Sequence, residues 1–532
     1  MSSVGYRQLW AVDPDGWRAA GAAWAGLTGP LDRRVGGLRA SAGRLRGGWS
    51  GAAATAADTR LSGLRDELAS IAPALIEVDQ VLAELAGRLT VAKARLTEAV
   101  ARADAAGLLV DRSGGVQVDP ARVRPTERAG VAAAGVAAAL RAALDGAATA
   151  DGVAADRLAE LARAAGTGWA SPPPPGRPAP GAAPALVSAW WSGLAPAQRR
   201  WLIGHEPALV GRLDGVPVAA RDQANRLLLD VRRAELLAER RRLLSRLPPG
   251  PLAAIRLSGV AGRLAGLDAL VERLTAGGAP RAYLLGLDPA GEGRVVVALG
   301  DPDHADRVLT YVPGMTAGLD DAPGELGRAA RVLDRCAALA PAERSAAVLW
   351  LDYDAPDLLT EAASSGQARD AGPALHSFQE GLRASHDGPP ARQTVLGHSY
   401  GSLVVGVAAR EHGLDADALV FVGSPGVGAS HAAELGVPAG EVWASTATDD
   451  VIRAARSPEE LGRRGLLRTA PLAAVLGWPD QTGHELWFGH DPADPGFGGR
   501  AFPSGRGGHT GYWEPGNPAL DGMARVVLGR PL

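Results

Sequence analysis

The stretch Gly397-His398-Ser399-Tyr400-Gly401 sets one serine between two glycines. A serine hydroxyl is a weak nucleophile until a base takes its proton and an acid orients that base. Glycine supplies 70 of the 532 residues, so this pattern arises by chance about half a time in a chain of this composition. Its setting is more telling. The apolar run RQTVL precedes it and SLVVGVAAREHG follows, which puts Ser399 at a strand–sharp turn–helix junction. Glycines on both sides let the backbone pass through a strained turn without side-chain clashes. The Tyr400 amide, next after the serine, is then a donor for an oxyanion. A second donor is expected from the loop in TYVPGMTAG, with the Met315 amide first and Thr316 second.

The base and acid must come later in the chain if the order is serine, acid, histidine. EVWAST reads as a strand, and ATDDVI follows it. An acid just past a strand end suits the role, and Asp449 and Asp450 compete for it. The spacing acid-x-aliphatic-aliphatic favours Asp449, and the other can cap the next helix. His484, His490 and His509 are the histidines available downstream. His509 lies in the glycine-rich RGGHTGYW just before a terminal helix and is preferred. His490, in FGHDPADPGFGG, is the alternative. His398 is expected to pack beneath the nucleophile and not to act as the base.

These residues need a scaffold. From about residue 280, AYLLGL, RVVVAL, RVLTYV, AAVLWL, RQTVLG, ALVFVG and EVWAST are candidate strands with helical patterns between them. Most of the later runs are apolar throughout, as strands covered on both faces must be, so a mostly parallel α/β sheet is predicted over 279–532. The first pair, separated by DPAGEG, is expected to be an antiparallel hairpin. Residues 186–278 read as helices that pack beside the sheet or cap it, and 453–488, with Trp478 and Trp487, is a second candidate lid.

Residues 1–168 read as a helical hairpin or bundle. Leu61, Leu64, Leu68, Ile71, Leu75, Val78, Leu82, Leu85 and Leu89 recur in steps of three and four, a heptad seam. Pro73 inside it is expected to kink the helix. Trp17, Trp24, Leu27, Leu31, Val35, Leu38 and Leu45 give a looser seam, and GGWSGAA between the two marks a reversal. An alanine-rich helix over 128–168 completes the module. The proline-rich stretch within 169–185 is the linker to the rest.

With YVPGM, WLDYDAP, TVLGHSYGS, VFVGSPGVG, FGHDP and GHTGYW in this order, residues 186–532 resemble an actinobacterial α/β-hydrolase family of unassigned substrate. The resemblance implies a mostly parallel sheet flanked by helices, with Ser399, Asp449 and His509 as triad. The resemblance says little about substrate; the ordered set of motifs itself points to a serine hydrolase, esterase- or lipase-like, acting on a small-molecule or lipid-like acyl ester, with peptidase activity left open. The acid position reads Asp-Asp where that family has Asp-Pro, so Asp449 and Asp450 both stay in play. Trp49-Ser50-Gly51 between two amphipathic helices resembles the Trp-x-Gly hairpin family linked to type VII secretion. That resemblance implies the alternative function: an interaction or effector protein whose hairpin binds a helical partner or a second copy. The Tyr-x-x-x-acidic signal of exported members is absent, since no tyrosine lies between Tyr6 and Tyr283.

Composition narrows the field. Net charge is −3 and Lys plus Arg number 55 against 58 Asp plus Glu, which is no nucleic-acid footprint. The arginine-rich run at 232–242 is interleaved with Glu235 and Glu239, as on a solvated helix face. Cys336 is the only cysteine, so no internal disulfide or cysteine metal site forms, and it reads as a core residue. No metal constellation or dinucleotide fingerprint stands out, and no cofactor is expected. The N-terminus lacks a signal-peptide pattern and no run of about 18 apolar residues predicts a transmembrane helix. The expectation is a cytoplasmic protein, or one exported by a type VII-like route.

Overall fold

The computed structural model describes residues 4–124, 126–166, 174, 176–246, 250–276, 279–454 and 485–532. The N-terminal part contains α1 (Tyr6–Ala11), α2 (Pro14–Ala25), α3 (Thr28–Gly48), α4 (Ala52–Ala105), a short antiparallel pair β1 (Leu108–Val110) and β2 (Val116–Val118), and α5 (Glu127–Gly166). Then come α6 (Pro184–Ser192), α7 (Pro196–His205), α8 (Pro207–Val210), α9 (Val218–Leu227), α10 (Leu229–Arg246) and α11 (Pro251–Thr275).

The remainder alternates strand and helix. Its strands are β3 (Ala282–Asp288), β4 (Arg294–Leu299), β5 (Arg307–Val312), β6 (Ser345–Leu351), β7 (Arg392–His398), β8 (Ala418–Val422) and β9 (Val442–Ser445). A small ribbon, β10 (Glu485–Leu486) with β11 (Gly489–His490), and an edge strand β12 (Arg500–Ala501) follow. The helices are α12 (Ala322–Leu339), α13 (Leu359–Ala362), α14 (Gly366–Ser385), α15 (Tyr400–His412) and α16 (Pro518–Val527).

Among the described residues one eight-stranded sheet runs β12-β9-β8-β7-β5-β6-β4-β3. β5 to β9 and β12 are parallel, and β3 and β4 form the antiparallel hairpin at one edge. All seven strands expected from the sequence are present. Parallel strands need helical crossovers, and those helices cover both faces, so Val395, Leu396, Val420 and Phe421 are fully buried and the strands can be apolar on both sides. Cys336 is buried on α12, with Sγ 3.7 Å from the Ala524 carbonyl oxygen. Burial pushes its thiol up to about 12, so it is a core group and not a ready nucleophile.

The N-terminal part departs from the two-helix expectation. Its first segment is broken into α1, α2 and α3, at Asp13-Pro14, where Asp13 caps α2, and again around Gly26. Trp17 and Trp24 are exposed instead of forming a seam. α2 meets α4 through small residues: a Cβ on Gly21 would lie 3.0 Å from the Asp79 carbonyl oxygen. The reversal at Trp49-Ser50-Gly51 is present, with Gly51 at φ 120°, open to glycine alone without strain. α4 runs on through Pro73. Its seam continues past Leu89 to Leu96, Ala99 and Ala103, and this C-terminal stretch is buried against Leu140, Ala143 and Ala147 of α5, with Leu9 of α1 in the same cluster. α5 is long and apolar enough to cross a membrane by length and composition. Alanine supplies most of that hydropathy, and the helix lays its apolar stripe on α4.

The two halves share a buried polar junction. Arg281, at the start of β3, ion-pairs with Asp79 of α4 and with Asp222 of α9. Asp222 also accepts from the Leu284 amide at 2.8 Å and from Gln80 at 3.0 Å. The helices of 186–278 pack around the β3 edge, α4 and α14, as where Ser188 donates to the Ala384 carbonyl. The second candidate lid falls mainly at 455–484, with Trp478 and His484, outside the described residues.

Candidate active site

β7 ends at His398, and α15 starts at Tyr400 with Ser399 as its N-cap. Ser399 has φ 55° and ψ −129°, a conformation that costs a non-glycine residue on the order of 1–3 kcal/mol. The surroundings enforce it. The Ser399 amide donates to the Val422 carbonyl of β8 at 3.0 Å. A Cβ on Gly397 would lie 2.6 Å from Gly401 O, and one on Gly401 would lie 2.3 Å from Val312 O. The two glycines thus serve close backbone approach as much as flexibility.

Three side chains meet there. Ser399 Oγ is 2.8 Å from His509 Nε2, and His509 Nδ1 is 2.9 and 3.0 Å from the two oxygens of Asp450. The carboxylate belongs to Asp450 and not to Asp449, the residue the sequence spacing favoured. Asp449 points the other way and accepts from the Gly507 amide at 3.1 Å. It does cap a turn, though the turn is the one that presents His509. Asp450 is buried and Asp449 is not. Burial works to raise the Asp450 carboxyl. Hydrogen bonds from His509, Tyr512 and the Ile452 amide outweigh it and hold the group below the ordinary carboxylate value, so it stays ionised opposite the imidazole.

His490, the alternative base, is elsewhere. Its ring nitrogens face Glu485 at 2.8 Å and Asp494 at 3.0 Å, and it stacks on Phe497. With a carboxylate on each nitrogen it braces the turn after β11. His398 lies under His509, its Nε2–H donating to the His509 carbonyl oxygen at 2.9 Å and its ring edge-on to Trp513. Burial, then the neighbouring His509 and Arg328, push its pKa down to about 3. It is therefore a neutral prop.

The oxyanion side is built from the loop after β5. Gly314 faces the serine so closely that a Cβ would sit 2.6 Å from Ser399 Cβ. Tyr353 pins this loop by donating to the Pro313 carbonyl at 2.7 Å. Thr316, at φ 62°, has its amide committed to the Pro356 carbonyl at 2.9 Å, which leaves Met315 as the donor of the pair. The Tyr400 amide is at the first turn of α15, where it lacks an intrahelical acceptor.

Sequence reasoning missed Tyr512. Its hydroxyl donates to Asp450 and accepts from the Ala447 amide at 2.9 Å, so it fixes which way the 447–450 turn faces. Its place three residues after His509 was the available signal. Among the described residues no group of three or more metal-ligating side chains occurs.

Residues 288–459 match the family described as Alpha/beta hydrolase. That span covers Ser399 and both aspartates and stops before His509. An uncharacterized protein of Mycobacterium bovis is 35% identical over 199 residues, 35% of this chain and 73% of the relative. The chain belongs to the alpha/beta hydrolase family. An uncharacterized protein of Mycobacterium tuberculosis is 32% identical over 382 residues, 67% of this chain. The chain spans 56% of that relative's length. In this alpha/beta hydrolase the site sits at the carboxyl ends of β5, β7, β8 and β9, where the strand order places ligands in open α/β sheets.

Proposed function

We propose that this alpha/beta hydrolase is a serine esterase of lipase-like type, acting on a small-molecule or lipid-like acyl ester through an acyl-enzyme. The observation that carries it is the Ser399 Oγ–His509 Nε2 distance of 2.8 Å with Asp450 on the opposite ring nitrogen. Ser399 Oγ attacks the acyl carbonyl while His509 Nε2 takes its proton. Asp450 holds Nδ1–H and offsets the charge of the imidazolium. The Met315 and Tyr400 amides donate to the oxyanion. As the carbon–oxygen ester bond breaks, His509 returns the proton to the leaving alkoxide. Water, deprotonated by His509, then releases the acid from Ser399. Met315, Tyr400 and the Phe488 ring, edge-on to Tyr400 at 6.1 Å, supply apolar surface for an acyl group.

A fluorophosphonate probe should label the wild-type chain once, at Ser399, and the Ser399→Ala protein not at all. Labelling that survives the substitution would overturn the assignment. Purified protein assayed against p-nitrophenyl esters of increasing chain length then reads the acyl preference.

The resemblance of the α3–α4 hairpin to Trp-x-Gly proteins supports a second reading, in which it recruits a helical partner or a second copy. Its specific observation is a groove of about 1090 Å³ between α3 and α4, lined by Leu31, Leu38, Leu64, Leu68 and Ile71. Sedimentation of the full chain would show a dimer that Leu68→Arg dissociates. A monomer at all concentrations counts against self-association.

A further inference from the structure

A cavity of about 220 Å³ lies between α11, α12 and the sheet, well apart in the sequence from the Ser399 loops. Leu270 of α11, Leu326 and Gly327 of α12, Leu299 of β4 and Leu349 of β6 line it, and Arg273 is its one charged lining residue. Arg273 is half-buried, and its Nη2 donates to the Pro280 carbonyl at 2.6 Å. No carboxylate pairs with it among the described residues. Burial alone pushes its pKa down, whereas the largely buried arginines Arg221, Arg226, Arg263 and Arg281 each face an aspartate or glutamate.

Burying a guanidinium without a counter-charge is costly, and an anion at its free N–H groups relieves that cost. The remaining wall is apolar. Such a cavity takes apolar guests when large enough: about 150 Å³ accommodates benzene. At ordinary packing density of ~0.74, about 220 Å³ holds roughly an eight-carbon chain with its head group. Charge fixes the direction. Asp320 and Asp321 stand at the α12 N-terminal end, where a Cβ on Gly262 would lie 3.2 Å from Asp320 Cβ. Arg273 is about three turns further along α11, roughly 16 Å from Gly262. A carboxylate is repelled from the first end and drawn to the second.

We propose that this cavity binds a medium-chain monocarboxylate, its carboxylate on Arg273 and its alkyl chain along Leu270, Leu326 and Leu349. The site stands on its own residues and does not depend on the reading of Ser399. The ligand has the chemistry of the acid an acyl esterase releases, so the same molecule can come from the protein's own reaction or from a free fatty-acid pool.

Calorimetric titration of sodium octanoate into the full chain tests it. Saturable one-to-one binding is expected, unchanged in Ser399→Ala, which separates this cavity from the serine site and this proposal from the proposed reaction. Arg273→Met should weaken octanoate at least tenfold and leave 1-octanol binding as it was. Gly327→Met should abolish both. Gly327 lines the cavity and a Cβ there meets nothing within 4 Å, so the backbone accepts a side chain at its mouth, and Gly327→Ala controls for helix propensity. Should Arg273→Met fail to fold, the Gly327 pair decides. Absence of saturable binding, loss of binding in Ser399→Ala, or octanoate binding indifferent to the Gly327→Met and Arg273→Met changes would overturn the proposal.

Discussion

Asp449 and Asp450 are chemically identical neighbours, and their environments divide the work. Asp450 receives Nδ1 of His509, the Tyr512 hydroxyl and the Ile452 amide, all inside the protein. Asp449 is solvent-facing and holds the Gly507 amide. An amide in place of the Asp450 carboxylate would keep the shape but favour the wrong imidazole tautomer and leave the imidazolium uncompensated. Asp450→Asn should therefore lower kcat about 10⁴-fold, as for other triads of this geometry. Asp449→Asn, which can still accept from Gly507, should stay within about threefold of wild type. Steady-state kinetics on any ester the protein turns over reads both. Equal losses at the two positions would contradict the division.

At the scale of elements, the site depends on how closely β5, β7 and α15 approach. Gly401 opens α15 directly against the end of β5, and its Cβ position is 2.3 Å from Val312 O and 2.5 Å from Pro313 O. Neither contact is with a flexible side-chain tip, so relief requires moving α15 or the oxyanion loop. Gly401→Ala should cost roughly 2–4 kcal/mol in stability and lower activity even at temperatures where the protein stays folded. Gly324→Ala is the matched control: it meets nothing within 4 Å and should be neutral or slightly stabilising. Thermal melts with parallel kinetics separate the two.

Over the whole molecule, the helical N-terminal part is tied to the sheet edge by buried charge. Besides Arg281 between Asp79 and Asp222, His304 before β5 faces Asp301 at 2.9 Å, Glu84 of α4 at 3.6 Å and Asp387 at 3.7 Å. Glu84 is itself paired with Arg88 and Arg157, and Asp303 lies alongside. Burial opposes the charged imidazole, but Asp301 and Glu84 outweigh it and carry His304 up to about 9. A raised histidine contributes stability that is complete below its unfolded value of 6.5 and is lost as pH rises through about 9. The contribution is on the order of 3 kcal/mol at most. Urea unfolding from pH 6 to 10 should show a decline across that window, and His304→Gln should flatten it. A His304→Gln protein with an unchanged pH slope would remove His304 as the cause.

The sequence by itself determined the strands, because parallel strands buried on both faces must be apolar throughout, and it marked the Ser399 turn through Gly397 and Gly401. It also singled out His509 by the glycine-rich loop ahead of a terminal helix. These are local signals, written within a few residues of the feature they specify. What only the tertiary structure decided is where side chains from distant loops point. In the turn at 447–450 no repeating geometry dictates which of two adjacent carboxylates faces inward; Tyr512, 62 positions beyond Asp450, does so by hydrogen-bonding both Asp450 and the Ala447 amide. The seam of α4 likewise showed that the helix buries one face, but alanine and leucine stripes on α3 and α5 both fit it. Packing gave α5 that place along Leu96 to Ala103, while broken α1–α3 left Trp17 and Trp24 facing outward.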